Sequence, residues 1–483
     1  MSDSQERILS HFRQICRIPH ASGQEAALCE FLAQQLRRLG GAVRCDAAGN
    51  LMAEFPARGA DPALPAVILQ AHMDMVVAGE LPPEQAVVTV VENGDQIETD
   101  RRTSLGADNG IGIAVILALL EDPAVHHGPL YVLFTVSEEV GLRGAAQVDP
   151  AFLQKAQYLI NLDGFHSDTI VVGCKSGLRE FLRRSVTKIP TPASYSVCEL
   201  CADGFIGGHS GDDIDRGRCN TIRLMAQLLC RLKTHLPSLA LQDLTGGTNF
   251  NVIPAFCRAR IALNAVDSAA LPALTETLFQ ELALPFRPVE TGGVLTCKTA
   301  PDLGTCWDSV SEQAILHTLS AVDNGVVVRS EQGRVSASCN LGCAYTDEDG
   351  VFTVKDMLRC DTAEQEEALL RQHRETADSA GFRQEVSGYH SWRGDPDSRL
   401  VRTICDACRS VDQTRQMQVI NALVGIEPSY FQEKAPALEI VCLGADICNA
   451  HAVKECVSRQ SISFLFRLVA ETLSILSKGG EHK

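Results

Sequence analysis

Residues Pro65 to Asp74 read PAVILQAHMD, an apolar run that breaks directly into a histidine and an aspartate. Two further runs behave the same way. Pro129 to Glu139 reads PLYVLFTVSEE and ends in two glutamates, and Tyr158 to Asp163 reads YLINLD and ends in an aspartate. Short, continuous apolar runs mark strands covered on both faces, whereas half-exposed strands alternate. Between the first two runs lies Ile111 to Leu120, IGIAVILALL. It is too long for an ordinary strand and is followed by acidic residues, so it is expected to be a buried helix. Strands alternating with helices predict an α/β fold: a central mixed sheet flanked by helices.

A chain of 483 residues exceeds one ordinary core, so more than one domain is expected. From about Arg179 to Gly388 the pattern changes. Arg258 to Leu263 and Val351 to Leu358 alternate like strands, while Asn220 to Leu236 and Leu271 to Leu282 have helical spacing. Helix and apolar strand then return in Leu400 to Val411, Leu438 to Leu443 (LEIVCL) and a closing helix near Ser461 to Ser477. The expected organisation is a discontinuous α/β domain, residues 1–178 and 389–483, interrupted by an α+β insert at 179–388.

Composition excludes several classes. Hydrophobic residues make up 45% and charged residues 21%, as in a globular chain. The net charge of −17 argues against nucleic acid and against an anionic membrane surface, because both need clustered Lys and Arg. No apolar run reaches the roughly 18–20 residues needed to span a bilayer. The N-terminus reads as an amphipathic helix around Ile8, Leu9 and Phe12, with no apolar stretch of a signal peptide. Nineteen cysteines in so long a chain are read as reduced thiols, so the expected compartment is the cytoplasm.

The strand ends carry the chemistry. They offer His72 with Asp74, Glu138 with Glu139, and Asp163, while Leu105-Gly106-Ala107-Asp108-Asn109-Gly110 places Asp108 in a tight turn before the buried helix. His451 follows the last apolar strand. In α/β sheets ligands gather beyond the carboxyl ends of strands. Imidazole and carboxylate oxygen suit zinc, and also manganese or cobalt. Two divalent ions sharing a carboxylate would activate a water, and a free carboxylate beside them would take its proton and pass it to a leaving amine. The pair Glu138-Glu139 can divide metal binding and proton transfer between its members.

With those residues stated, a family resemblance is clear. Ala71-His72-Met73-Asp74-Met75, Ser104 through Gly112, Ser137-Glu138-Glu139-Val140-Gly141 and Asn161-Leu162-Asp163 resemble the motif series of the aminoacylase-type dinuclear zinc peptidases, most nearly the aminoacyl-histidine dipeptidase branch. Ile18-Pro19-His20, Gly207 through Gly211, Gly246-Gly247-Thr248, Asn251 through Pro254, Asn324-Gly325-Val326 and Tyr389 through Trp392 extend the likeness along the chain. The resemblance implies a metal-dependent dipeptidase, acting on Xaa-His and broader dipeptides, with two metal ions, zinc first. Asp108 would bridge them and precede a cis peptide bond. His72 and Asp163 would complete one metal, Glu139 and His451 the other. Glu138 would be the general base, and Asp74 would hold the His72 ring. The insert would be a lid whose His209 polarises the substrate carbonyl, while Asn251 and Arg359 meet the substrate's C-terminal carboxylate. Relatives are often dimers, so a homodimer is among the expectations.

The sequence also departs from the family. His451 is followed by Ala452-Val453-Lys454-Glu455, where Ser-Pro-Asp-Glu is usual, and Leu423 stands where a histidine is usual, although Glu427 is kept. Gly164-Phe165-His166 follows Asp163 where acidic residues are common. Two alternatives therefore stay open: an amidohydrolase of the same fold acting on N-acyl amino acids or longer peptides, and a non-catalytic metal-binding relative. Other signals are set aside. Cys198/Cys201 and Cys405/Cys408 lie in a strand-like and a helical stretch some two hundred residues apart, which does not suit a zinc ribbon. Gly208-His209-Ser210 lacks the pattern of a nucleophile elbow. The charged run Glu364 to Arg374 reads as a solvated helix face.

Overall fold

The three apolar runs become adjacent strands of one sheet. Val67–His72 lies between Leu130–Thr135 and Tyr158–Gly164, parallel to both, and Glu439–Gly444 continues parallel beyond Tyr158–Gly164. Nearly every residue of these four strands is buried, as their uninterrupted apolar character requires. Antiparallel Leu51–Phe55 and Ala42–Cys45 extend one edge. Thr169–Cys174 extends the other, joined by Trp392–Arg393 and, in parallel, by Gln418–Ala422. The sheet is therefore mixed. This architecture comes from a computed structural model that describes residues 3–422 and 424–478.

The apolar stretch at 111–120 is a helix, Ala107–Glu121, buried throughout from Ala107 to Leu120. A helix apolar on every side must be covered on every side. It packs on the strands and against the helices Asp3–Ile15 and Arg459–Leu476 within one core that includes Phe12, Ile116 and Leu465. Its regular turns start about where the apolar run does, because Asp108 (ψ 103°) and Asn109 (φ −114°) break the helical angles in its first turn. Gly106 sits at φ 67°, and the peptide bond between Asp108 and Asn109 is cis. Gly112 has no room for a side chain, since a Cβ there would lie 2.1 Å from Asn109 Oδ1 and 2.9 Å from the Leu162 carbonyl oxygen.

The chain divides into two units: residues up to Cys174 together with those from Trp392 on, and Lys175–Ser391. The cuts fall a few residues outside 178/179 and 388/389. Gly177–Ser185 belongs wholly to the second unit's sheet, and Trp392–Arg393 pairs with Thr169–Cys174 in the first. The second unit is built on a nine-stranded antiparallel sheet in the order Val294–Thr299, Ser196–Asp203, Cys257–Leu263, Ala240–Gly247, Val335–Thr346, Val351–Cys360, Gly177–Ser185, Arg383–Tyr389, with Gly325–Arg329 paired to Val335–Thr346. Helices Thr221–His235, Ala265–Ala283, Ser309–Ala321 and Ala363–Ser379 accompany it. The last of these corrects the reading of the charged run as a solvated face. Within it Glu366 is 3% exposed and His373 is fully buried. No described helix is long and apolar enough to cross a membrane.

Candidate metal centre

Four strand or helix ends of the first unit, and one hairpin loop, deliver their polar side chains to one place. His72 ends its strand, and Asp163 lies one residue before the end of the neighbouring strand. Glu138 and Glu139 follow Leu130–Thr135 in a turn where Ser137 and Leu142 adopt positive φ. Asp108 stands in the first turn of the buried helix, and His451 (φ 63°) lies in the loop between the short strands Ile447–Cys448 and Cys456–Ser458.

Asp108 is the hinge of the arrangement. Its Oδ1 lies 3.0 Å from His72 Nε2, which is also 3.2 Å from Asp163 Oδ1. Its Oδ2 lies 3.1 Å from His451 Nε2, which is also 2.9 Å from Glu139 Oε1. Two triads thus share one carboxylate, each with its ligand atoms within 4.8 Å of one another. His72 donates through Nδ1 to the Asp74 carbonyl oxygen at 2.9 Å, so a neutral ring leaves Nε2 with a lone pair. With both carboxylates ionised, that lone pair faces two carboxylate oxygens with no proton between them. In the second triad one imidazole nitrogen, with one proton at most, again faces two carboxylate oxygens. Each gap is satisfied by a cation bound by imidazole and carboxylate, the donor set that suits zinc. Asp163 Oδ1, buried, has no hydrogen-bond donor of its own.

The electrostatics carry the same message. Burial pushes the Asp163 carboxyl up to about 8, against the pull of His72. Burial also pushes Glu138 well above the carboxylate range, with further upward push from Asp163, Glu139 and Glu427. Hydrogen bonds to the Asp108 and Glu139 carboxylates raise His451 to about 10. An excess of buried carboxylate seeks positive charge, which protons or metal ions can supply.

Asp74 plays two parts. Its carbonyl receives the His72 ring, while its carboxylate lies 3.6 Å from that ring and is used elsewhere. It accepts the backbone N–H of Glu138 (2.9 Å), the N–H of Glu139 (3.2 Å) and the Ser22 hydroxyl (2.7 Å). One carboxylate therefore fixes the whole Glu-Glu turn. Glu25 holds the residue before it, accepting from Ser137 N and Oγ.

Three supporting groups have roles that the sequence analysis leaves unassigned. Glu455, 2% exposed, accepts four successive backbone N–H groups: Leu105 and Gly106 on Oε2 at 2.8 and 3.0 Å, Ala107 and Asp108 on Oε1 at 2.9 and 3.3 Å. A carboxylate at a helix N-terminus satisfies the unpaired amides and the dipole together. Glu427, fully buried, accepts from Gln70 Nε2 at 2.5 Å and Thr135 Oγ1 at 2.9 Å, and Gln70 in turn accepts from Asn161 at 2.5 Å. This chain ties the ends of three parallel strands together beneath the cluster. Leu423, at the place of a usual histidine, lies outside the described residues.

In the second unit, His209 sits in a two-residue strand paired with Val252–Ile253 and is half-buried, its Nδ1 3.2 Å from Asp212 Oδ2. A Cβ on Gly211 would come 3.1 Å from the His209 ring and 3.4 Å from Arg359 Nε, so both side chains border this glycine. Arg359 is 6% exposed, and its Nε has no partner among the described residues. Asn251 Oδ1 is likewise buried and unpaired. Asn340 Nδ2 holds the Asn251 loop through the carbonyls of Phe250 and Val252, at 2.9 and 3.0 Å.

Known proteins share this chain's family pattern and fold. The pattern of peptidase family M20/M25/M40 matches residues 68–474. The cytosol non-specific dipeptidase of Escherichia coli (strain K12) is 30% identical over 476 residues, covering 96% of either chain. The crystal structure of aminoacylhistidine dipeptidase from Vibrio alginolyticus superposes with a TM-score of 0.82 at 29% identity, covering 97% of this chain and 96% of that one. Human carnosine dipeptidase 1, at 15% identity and a TM-score of 0.53 over 98% of this chain and 97% of its own, shares the fold.

Proposed function

This chain belongs to peptidase family M20/M25/M40, and from that premise we propose that it is a metal-dependent dipeptidase whose centre is the pair of triads sharing Asp108. The observation that carries the reading is the facing of one imidazole nitrogen by two carboxylate oxygens in each triad. His72, Asp108 and Asp163 would hold one divalent ion, and Asp108, Glu139 and His451 the other, zinc first and manganese or cobalt as alternatives. Ions bound there supply a Lewis acid for the peptide carbonyl and lower the pKa of a water.

The chain's own residues do the rest. Glu138 is the proton carrier. Burial keeps its carboxyl basic, and the Asp74 carboxylate fixes its backbone. It takes a proton from the attacking water and returns it to the leaving amine. Asp74 and Glu25 position that turn, and Glu455 positions Asp108. His209, Asn251 and Arg359 are the substrate-binding groups of this reading: His209 as donor to the carbonyl oxygen, the unpaired Arg359 Nε and the Asn251 amide NH₂ as donors to a substrate carboxylate.

The test is hydrolysis of a panel of dipeptides, including β-alanyl-histidine, with tripeptides and N-acyl amino acids beside them. Protein stripped of metal should be inactive and regain dipeptide cleavage with zinc, manganese or cobalt. Glu138→Ala should lower kcat by about 10²–10⁴-fold with metal still bound. Cleavage of acylated or longer substrates alone would transfer the reading to an aminoacylase or carboxypeptidase of the same fold.

A further inference from the structure

The loop that carries His451 is closed at its base by two cysteines. Cys448 and Cys456 stand directly opposite each other in the antiparallel pair Ile447–Cys448 and Cys456–Ser458. Between them run only residues 449–455. In that span lie His451, 2.9 Å from Glu139, and Glu455, whose carboxylate grips the backbone from Leu105 to Asp108. One short loop therefore delivers a group to one triad and fixes the carboxylate that both triads share.

The two thiols differ in access. Cys448 is exposed on the edge strand of a four-stranded sheet. Cys456 is half-buried and paired on its other side with Glu98 of Gln96–Thr99. Val457, on the opposite face of the same strand, is fully buried. The thiols thus lie on the outer face, where a small molecule reaches Cys448 first. Directly opposed cysteines in an antiparallel pair fall within the Cα separation a disulfide requires. Inside the loop one backbone bond, from the Glu455 N–H to the Ala452 carbonyl at 3.0 Å, closes a turn. Asn449 and His451 both hold positive φ, and a weak Asn449–Lys454 contact at 3.4 Å spans it.

We propose that Cys448 and Cys456 form a thiol–disulfide exchange site for low-molecular-weight disulfides, and that closing the bridge clamps the loop so that the metal held by Asp108, Glu139 and His451 is retained more tightly. The chemistry balances with the small disulfide as oxidant. The Cys448 thiolate attacks one of its sulfurs and releases one free thiol, leaving a mixed disulfide. The Cys456 thiolate then attacks the Cys448 sulfur and releases the second free thiol. Two electrons pass to the small disulfide, and the two protons end on the released thiols. Bridging removes the loop's open conformations, which is how a disulfide over a short span acts. The clamp rests on His451 being a ligand; the bridge does not.

Other thiols can react too: Cys29 and Cys45 lie 3.7 Å apart. Site-resolved measurement is therefore needed. Zinc-loaded full-length protein is treated with oxidised glutathione, then digested without reduction and mapped by mass spectrometry. A peptide pair joined through Cys448 and Cys456, two hydrogens lighter than its reduced sum, is expected and should vanish with dithiothreitol. Zinc release into a chelator should be about tenfold slower in oxidised than in reduced wild type, with no such difference in Cys448→Ser/Cys456→Ser. Glutathione adducts on Cys448 without the linked pair would overturn the bridge. A linked pair with unchanged zinc release would overturn the clamp. His451→Ala separates the two readings: unchanged zinc content in that variant would sink the metal assignment and the clamp, while the linked peptide still decides the bridge.

Discussion

Two clusters of histidine and carboxylate lie in this molecule, one in each unit, and they solve the same electrostatic problem in different ways. In the second unit Glu180 and Asp356 stand directly opposite on neighbouring strands, both fully buried, with His373 from the Ala363–Ser379 helix against them. Like charges opposite each other in a sheet repel. Here protons are distributed to relieve the repulsion. His373 Nδ1 donates to Glu180 Oε2 at 2.7 Å, Gln384 donates to Glu180 Oε1 at 2.5 Å, and Asn340 N donates to Asp356 Oδ1 at 2.9 Å. His373 Nε2 is spoken for as well, accepting the Asp323 N–H at 3.0 Å. Both ring nitrogens are used, so no lone pair remains for a metal. In the first unit each imidazole nitrogen has two carboxylate oxygens to serve and too few protons. Ligand type and proximity do not separate a metal centre from a structural staple; the count of donors against acceptors does.

The sharpest way to break this contrast is to truncate one histidine in each cluster. His72→Ala should abolish most zinc binding and lower activity beyond the roughly 10–100-fold typical of losing an outer partner of a metal site, with modest change in unfolding midpoint. His373→Ala should destabilise the fold by about 3–5 kcal/mol, because it strips buried carboxylates of their partner, with zinc content unchanged. Metal content and urea unfolding of both variants decide it. Loss of zinc from a stable His373→Ala protein would place both clusters in the same class.

A smaller effect is expected from Glu455→Gln. The amide keeps one acceptor but turns its NH₂ towards two of the four N–H groups now bound, leaving donors opposed. Asp108 should lose its fixed position, with activity and metal affinity both falling about 10–100-fold. Competition with a chelator measures the second, which a purely structural role far from the metals would not move. Unchanged metal affinity would remove Glu455 from the centre.

These cases show what the sequence discloses. His72, Glu139 and Asp163 are legible because each closes or follows a continuous apolar run, and a strand buried on both faces has its polar end in a shared place. Asp108 is legible from its Gly-flanked turn. The roles of Glu455, Gln70 and Glu427 are not, because their partners lie from 65 to more than 300 residues away and a buried acceptor has no period. Glu366 and His373 mislead more actively. They sit in a charged helix whose polar pattern resembles a solvated surface, yet His373 turns inward onto the cross-strand pair Glu180–Asp356, and Glu366 onto the His390 ring and the Ser391 N–H.

Asp356 offers the smallest test, and one independent of metal. Its Oδ2 has no hydrogen-bond partner among the described residues and faces His373 Nδ1 at 3.8 Å. Burial pushes its carboxyl up to about 7 from 3.8, with Glu180 adding to the rise and His373 and the N–H groups of Met357 and Asn340 opposing it. Between those values the folded chain holds a proton that the unfolded chain has released. Stability contributed by that proton is present at pH 4 and drains away as pH rises towards 7, with a slope no steeper than about 1.4 kcal/mol per pH unit for one group. Asp356→Asn keeps an acceptor for the Asn340 N–H and removes the titration. Urea unfolding of zinc-loaded wild type and variant from pH 4 to 7 should therefore diverge, the wild type losing stability relative to the variant as pH rises, while the strand-end carboxylates common to both cancel in the difference. Parallel curves would mean that Asp356 is ionised throughout, so that the His373 ring serves two carboxylates at once. The staple would then share the proton shortage that marks the candidate metal centre.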